Sequence, residues 1–246
     1  MTTETLNISE EQLVDYSKAH NEPSWMTELR KKALKLTETL EMPKPDKTKL
    51  RKWNFDTFKQ HETKGSAYEN LSELPESVKQ IIDVENSENL VIQHNNDLAY
   101  SQVSDQAKKD GVIIEGLSEA LVNHSELVQK YFMTKAVDID EHRLTALHTA
   151  LMNGGIFVYV PKNVVVEHPI QYVVLHDDDN ASFYNHVILV TEESAEVTYV
   201  ENYLSNANGE DNQINIVSEV IAGANSNVTY GLSLIHISEP TRPLYI

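Results

Sequence analysis

The stretch GGIFVYVPKNVVVEHPIQYVVLHDDDNASFYNHVILVTEESAEVTYVE, Gly154 to Glu201, carries no helical period. Short β-rich runs begin instead near Ile156, Ile170, Phe183 and Glu196, and the series continues at Gln213 and Asn227. The spacings are 14, 13, 13, 17 and 14 residues. Within the later runs apolar and other residues alternate: Val197 and Tyr199, then Ile214, Ile216 and Val220, then Val228 and Tyr230. That is the period of two expected of strands. Two dozen-odd residues for each pair of runs, with no crossover helix between them, suits a β-solenoid. A sandwich or a cupin-like barrel accepts the same spacing. Periodicity alone leaves the three open.

Upstream of Gly154 the pattern changes. Ser9-Glu10-Glu11-Gln12 fits a capping box and predicts a helix running towards His20. Ser24 is the predicted cap of a second helix, in which Met26, Leu29, Ala33, Leu36 and Leu40 step by three and four. Met42-Pro43-Lys44-Pro45 ends it, because proline cannot extend the hydrogen-bond ladder. A polar connector with a short helix near Glu76 to Ile82 leads to two strands, Asn89 to Gln93 and Leu98 to Val103. A third strand follows at Gly111 to Glu115, then helices over 117–133 and 139–153. Gly154-Gly155 reads as a left-handed helix stop. The predicted divisions are a helical region and connector over 1–88, a small α/β segment over 89–153, a β core over 154–231 and a tail over 232–246.

The composition bounds the function. The chain has 246 residues, 40% apolar and 24% charged, as in an ordinary soluble globular protein. Its longest apolar run, Ile156 to Val160, is far short of the roughly 20 residues of a membrane span. The opening MTTETLNISEEQ lacks the charged-then-apolar pattern of a secretory leader, so a cytoplasmic setting is expected. With no cysteine, disulfides and thiolate-held metals are excluded for this chain. Residues 1–64 carry 12 Lys/Arg against 11 Asp/Glu, whereas residues 65–246 carry 8 against 27. An acidic face of that density repels phosphates and argues against nucleic acid. Trp53, Phe55 and Phe58 beside Lys47, Lys49, Arg51 and Lys52 read as a loop anchor rather than a nucleic-acid patch.

Motif chemistry is sparse. His142 and His148, six apart on one predicted helix, lie about 240° apart around its axis and cannot share a metal from one face. His168 precedes a proline. His176 with Asp177, Asp178 and Asp179, and His186 nearby, is the most ligand-like group, though a solvated acidic turn explains it more simply. Glu192 and Glu193 read as exposed turn acids. There is no phosphate loop, no dinucleotide fingerprint, no nucleophile elbow and no His-x-His pair. No residue is expected to be catalytic, cofactor-binding or metal-binding.

Three stretches carry a resemblance: NEPSWMTELRKKALKL (Asn21 to Leu36), GVIIEGLSEALVNHSELVQKYF (Gly111 to Phe132) and ALHTALMNGGIFVYVPKNVVVEHPIQYVV (Ala146 to Val174). FYNHVILVTEESAEVTYVE (Phe183 to Glu201) continues it. The chain resembles the SufB/SufD family of the SUF iron–sulfur cluster assembly system, and its cysteine-poor branch in particular. The resemblance runs from about residue 8 to Gly231. It implies an α+β to mainly β chain, with an N-terminal helical domain followed by an incomplete right-handed parallel β-helix. It implies a non-catalytic scaffold that assembles with a SufB-like paralogue and a SufC-like ABC ATPase, and is served indirectly by a cysteine desulfurase and a sulfur carrier. It implies no cofactor bound by this chain alone, and an iron–sulfur cluster held transiently by the whole complex. The family's interface histidine and ATPase-docking segment fall beyond Gly231, so neither is carried onto a residue here. The alternatives from other classes are a cupin-like metal-dependent enzyme using His176 and His186, and an acidic adaptor module.

The end of the chain reads differently. LSLIHISEPTR (Leu232 to Arg242) resembles an in-frame translation of a sequencing-library adapter, with Pro243 to Ile246 as run-on. The expectation is a fragment whose native pattern stops at Gly231. Open strand edges at the cut would then leave it poorly soluble or oligomeric.

Overall fold

The computed structural model describes residues 8–47, 50, 55, 65–83, 87–179, 181–205 and 213–235. Trp53 and Phe58 lie outside the described residues. Helices gather at the start and the strands form two largely parallel sheets, an α+β arrangement.

Helix α1 (Glu10–Ala19) opens on the expected capping box, with Ser9 Oγ accepting from Gln12 N at 3.2 Å and Gln12 Oε1 accepting from Ser9 N at 2.8 Å. Such a cap contributes about 1 kcal/mol. Asn21 takes a positive φ of 53° and turns the chain into α2 (Ser24–Leu36), which ends short of Leu40. Ser24 is the first helical residue and Pro23 holds the cap position, where its missing N–H costs nothing. A 3-10 turn (Leu71–Glu73) and α3 (Glu76–Lys79) follow. Then come β1 (Asn89–His94), β2 (Asp97–Gln102), α4 (Asp105–Lys109) and β3 (Ile113–Gly116). The helix predicted over 117–133 is two, α5 (Leu117–Asn123) and α6 (Ser125–Tyr131), broken where His124 leaves helical geometry at φ −129°, ψ 35°. Helix α7 (Arg143–Leu151) starts later than expected because the His142 ring caps it, accepting from Thr145 N at 3.1 Å.

Six strands complete the chain: β4 (Gly154–Val160), β5 (Ile170–His176), β6 (Phe183–Thr191), β7 (Glu196–Ser205), β8 (Ile214–Ala222) and β9 (Asn227–Ile235). They alternate between two sheets. One has the order β2-β1-β5-β7-β9 and the other β3-β4-β6-β8. Each strand of the series therefore pairs with the next but one: Gly154 meets Asn185, Phe183 meets Ile214, Ile170 meets Tyr199 and Glu196 meets Asn227, all in parallel. Among the described strands only β1–β2, a hairpin, and β3–β4, joined through α5, α6 and α7, run antiparallel.

The burial of β5 and β6, complete along both, follows from this layering. Phe183, Val187 and Leu189 of β6 face Ile170, Tyr172 and Val174 of β5 in the core between the sheets. The alternate residues Ile188 and Val190 pack under α2, α5 and α6, and Tyr184 under α1 and α7. Leu74, Val78 and Ile82 cover the far side of the other sheet, against Val173 and Leu175. Burying each Val, Leu or Phe contributes roughly 1.5–3 kcal/mol.

Successive turns also stack at one corner. Asn163, Ser194 and Asn225 have φ of 64°, 58° and 56°. Asn163 N donates to Glu193 O at 3.0 Å, and Ser194 N to Ala224 O at 2.9 Å. Gly154-Gly155 proves not to be a helix stop, since α7 ends at Leu151 and both glycines lie in β4. Gly155 has φ 146°, and a Cβ there would sit 1.9 Å from the His186 carbonyl oxygen. The glycine permits a close approach of strands.

Candidate functional site

The densest buried polar chemistry lies between α7 and the four-stranded sheet. The outward face of β6 is apolar except at His186, and β8 places Asn215 and Glu219 beside it. His148 reaches down from α7. The His148, His186 and Glu219 side chains are wholly buried. Asn215 Oδ1 lies 2.9 Å from His148 Nδ1, His148 Nε2 lies 2.9 Å from His186 Nδ1, and His186 Nε2 lies 3.0 Å from Glu219 Oε1. Glu219 also accepts two backbone N–H groups of the loop after α6, Met133 at 2.8 Å on Oε1 and Val137 at 3.2 Å on Oε2. The Phe132 ring packs on His186 at 4.5 Å. Burial holds the His148 ring well below the ordinary histidine range, and His186 beside it opposes a further charge.

A second buried pair extends this spine to the N-terminal hairpin. Arg30, on α2, donates to both Glu22 oxygens at 2.9 and 2.6 Å and to the Ala150 carbonyl of α7 at 2.9 Å. Ser17 Oγ donates to Glu22 Oε2 at 2.7 Å. Burial disfavours the Glu22 carboxylate, but Arg30 and Ser17 outweigh it and hold its carboxyl below the usual range. Cation and helix end are matched, because Arg30 meets α7 at its last turn.

Between the sheets runs a set of polar groups. Tyr172 donates to Gln93 Oε1 at 2.5 Å, Gln93 Nε2 to Asn185 Oδ1 at 3.1 Å, and Asn185 Nδ2 to Tyr203 at 2.9 Å. Further on, Glu201 accepts from Tyr199 at 2.8 Å and Tyr230 at 2.5 Å, and its burial raises the carboxyl pKa. Gln93 and Tyr172 also floor a cavity of about 570 Å³, rimmed by Asp97, Ser118 and Glu119. Among its described lining residues there is no lysine or arginine to complement a phosphate.

The structure separates the pair that a cupin-like site would need. His176 ends β5 in one sheet, its ring tilted against Phe183 at 5.2 Å, whereas His186 lies on β6 in the other and faces the helices. Asp177 is held by Asn95 Nδ2 at 3.0 Å and lies 3.0 Å from His94 Nε2. No group of three or more His, Asp or Glu among the described residues is placed to hold a metal ion. His168 lies 3.5 Å from Glu88, and Lys162 donates to Glu193 at 2.8 Å. Glu192 is not a bare turn acid, since Tyr131 and Tyr159 donate to it at 2.8 and 3.3 Å. Sequence reasoning missed the His148–His186–Glu219 row because its members stand 38 and 33 residues apart. The available signal was a polar residue set among apolar neighbours at period two, His186 on β6 and Asn215 and Glu219 on β8.

Residues 10–172 match the family profile described as SufBD protein N-terminal region. Residues 173–236 match that described as SUF system FeS cluster assembly, SufBD core domain. The match and strand β9 both run past Gly231, where the sequence pattern was expected to stop. The chain is 47% identical over 227 residues to the iron–sulfur cluster assembly protein SufD of Bacillus subtilis (strain 168), covering 92% of this chain and 52% of that protein. It is 27% identical over 234 residues to an iron–sulfur cluster assembly SufBD family protein of Staphylococcus aureus (strain USA300), covering 91% of this chain and 50% of that one. The chain thus spans about half the length of the curated relatives it matches. With helices first and two alternating sheets after them, matched almost end to end by both profiles, the chain belongs to the SufB/SufD family of iron–sulfur cluster assembly proteins.

Proposed function

We propose that this chain is part of a non-catalytic scaffold subunit of the SUF system, working in the cytoplasm beside a SufB-like paralogue and a SufC-like ABC ATPase. The observation that carries the reading is the match to both SufBD profiles across residues 10–236, strengthened by the 47% identity to a SufD protein. In this reading the alternation of β4 to β9 between two sheets is the coil of a right-handed parallel β-helix. The nascent cluster is cargo. Cluster irons are held chiefly by thiolates, and this chain holds no cysteine, so the SufB-like partner supplies the sulfur ligands. Sulfur reaches the pair from a cysteine desulfurase and a carrier.

The polar side chains support a structural rather than a reactive role. Gln93, Asn185, Glu201 and Glu219 spend their hydrogen bonds on neighbouring buried side chains or on backbone. Co-expression tests the reading. The chain, extended to the length of its relatives, is expected to co-elute with a SufB-like and a SufC-like protein. Anaerobic supply of iron and desulfurase-derived sulfur should then give cluster absorbance on the complex. Co-elution with neither partner overturns it.

A further inference from the structure

The row from Asn215 to Glu219 constrains how many protons it can hold. Three contacts join four groups, and each needs one hydrogen. Glu219 is an acceptor on both oxygens, because backbone N–H groups reach each of them. With the Asn215 carbonyl facing His148, the two rings must carry three protons. One ring is then an imidazolium, and its charge is balanced by Glu219. With the half-buried Asn215 amide turned over, its NH₂ donates, the rings need two protons, and every contact is still made. Three arrangements are thus complete, one with two protons and two with three, and in each a single hydrogen lies between His148 Nε2 and His186 Nδ1. A fourth proton would set His148 Nε2–H against His186 Nδ1–H across 2.9 Å.

We propose that His148, His186 and Glu219 form a proton-gated latch, which clamps α7 and the loop of Met133 to Val137 onto the four-stranded sheet and releases both when acidification charges the second of the two rings. The surroundings favour release over accommodation. From α2, Arg30 approaches His148 as a cation already committed to Glu22. From β6 come His186 and Tyr184, the latter with its ring 6.3 Å away, and from β8 comes Glu219, already paired with His186. Lys135 in the clamped loop is exposed. Among the described residues no free carboxylate stands beside His148 to balance a second positive charge. Burial therefore holds its folded-state pKa below that of the unfolded chain. The stability it contributes is complete above about pH 6.5 and falls as the pH drops from there towards the folded-state value.

Amide hydrogen exchange on the intact chain tests the latch between pH 7.5 and 5, a window above the ordinary carboxylate range. After correction for intrinsic exchange, protection of α7 and of Met133 and Val137 is expected to fall up to tenfold for each pH unit below about 6.5. His148→Gln, which can donate and accept but not titrate, should abolish that slope. Should the variant not fold, imidazole nitrogen resonances of the unmodified protein decide. The two rings must not both be charged while α7 is protected, and the second proton must arrive together with the loss of that protection. A wild-type profile independent of pH, the same slope in His148→Gln, or both rings charged with α7 still protected each overturns the proposal. The test needs no partner, so it stands apart from the scaffold reading.

Discussion

Truncating Glu219 to alanine is the sharpest structural test of the buried row. In the folded chain its carboxylate takes the Met133 and Val137 N–H groups at 2.8 and 3.2 Å and faces His186 Nε2 at 3.0 Å, in a site with no exposure. Alanine leaves all three without an acceptor. Each orphaned buried group costs about 1–3 kcal/mol, so the loss is about 3–6 kcal/mol once partial relaxation is allowed. Whole domains are stable by only about 5–15 kcal/mol. Glu219→Gln is the graded control. Its carbonyl can serve Met133 and His186 while its NH₂ confronts the Val137 N–H, orphaning one donor at about 1–3 kcal/mol. Urea unfolding followed by circular dichroism measures both. With about 2–4 °C per kcal/mol for a domain of this size, alanine should lower Tm by about 6–24 °C and glutamine by much less. An alanine variant within about 0.5 kcal/mol of the unaltered chain refutes the reasoning.

Arg30→Met should cost about 3–5 kcal/mol, because it strands the Glu22 carboxylate in the interior. Adding Glu22→Gln should recover part of the loss, and a double-mutant cycle in urea checks the coupling. Gly155→Ala should destabilise strongly, given a Cβ 1.9 Å from the His186 carbonyl oxygen, whereas Gly231→Ala, with 3.6 Å to its nearest neighbour, should be mild; paired thermal melts compare them. Glu201 has its folded-state pKa raised by burial, so its folded form binds the proton more tightly and the chain loses stability as the pH climbs above about 4.3. Urea midpoints at pH 5 and 8 should therefore differ less in Glu201→Gln than in the unaltered chain.

Much of the strand order could be read in advance because β-rich runs announce themselves by local alternation. The starts expected near Ile170, Phe183, Glu196 and Asn227 agree with those observed. Local pattern could not say which runs share a sheet, since pairing with the next strand but one is a long-range choice. The break at His124 escaped notice because the apolar residues on both sides keep a helical period, and only the backbone at that one position departs. The glycine pair was legible as special but not in its reason, as the crowding comes from His186 across the sheet. The histidines were weighed as ligands within short windows, so His148 was set only against His142, and His186 only against His176. What joins His148 to His186 is the seating of a helix on a sheet, which no short window records.

The stacked corner formed by Asn163, Ser194 and Asn225 has a consequence for how such a chain can change in length. One residue gained or lost at Ser194 would flip the following strand β7, exchanging inward Val197, Tyr199 and Tyr203 for Thr198, Val200 and Leu204. Single-residue indels at this edge are therefore forbidden in effect. A lineage carrying this architecture grows or shrinks there by complete windings, as a screw is lengthened by whole threads.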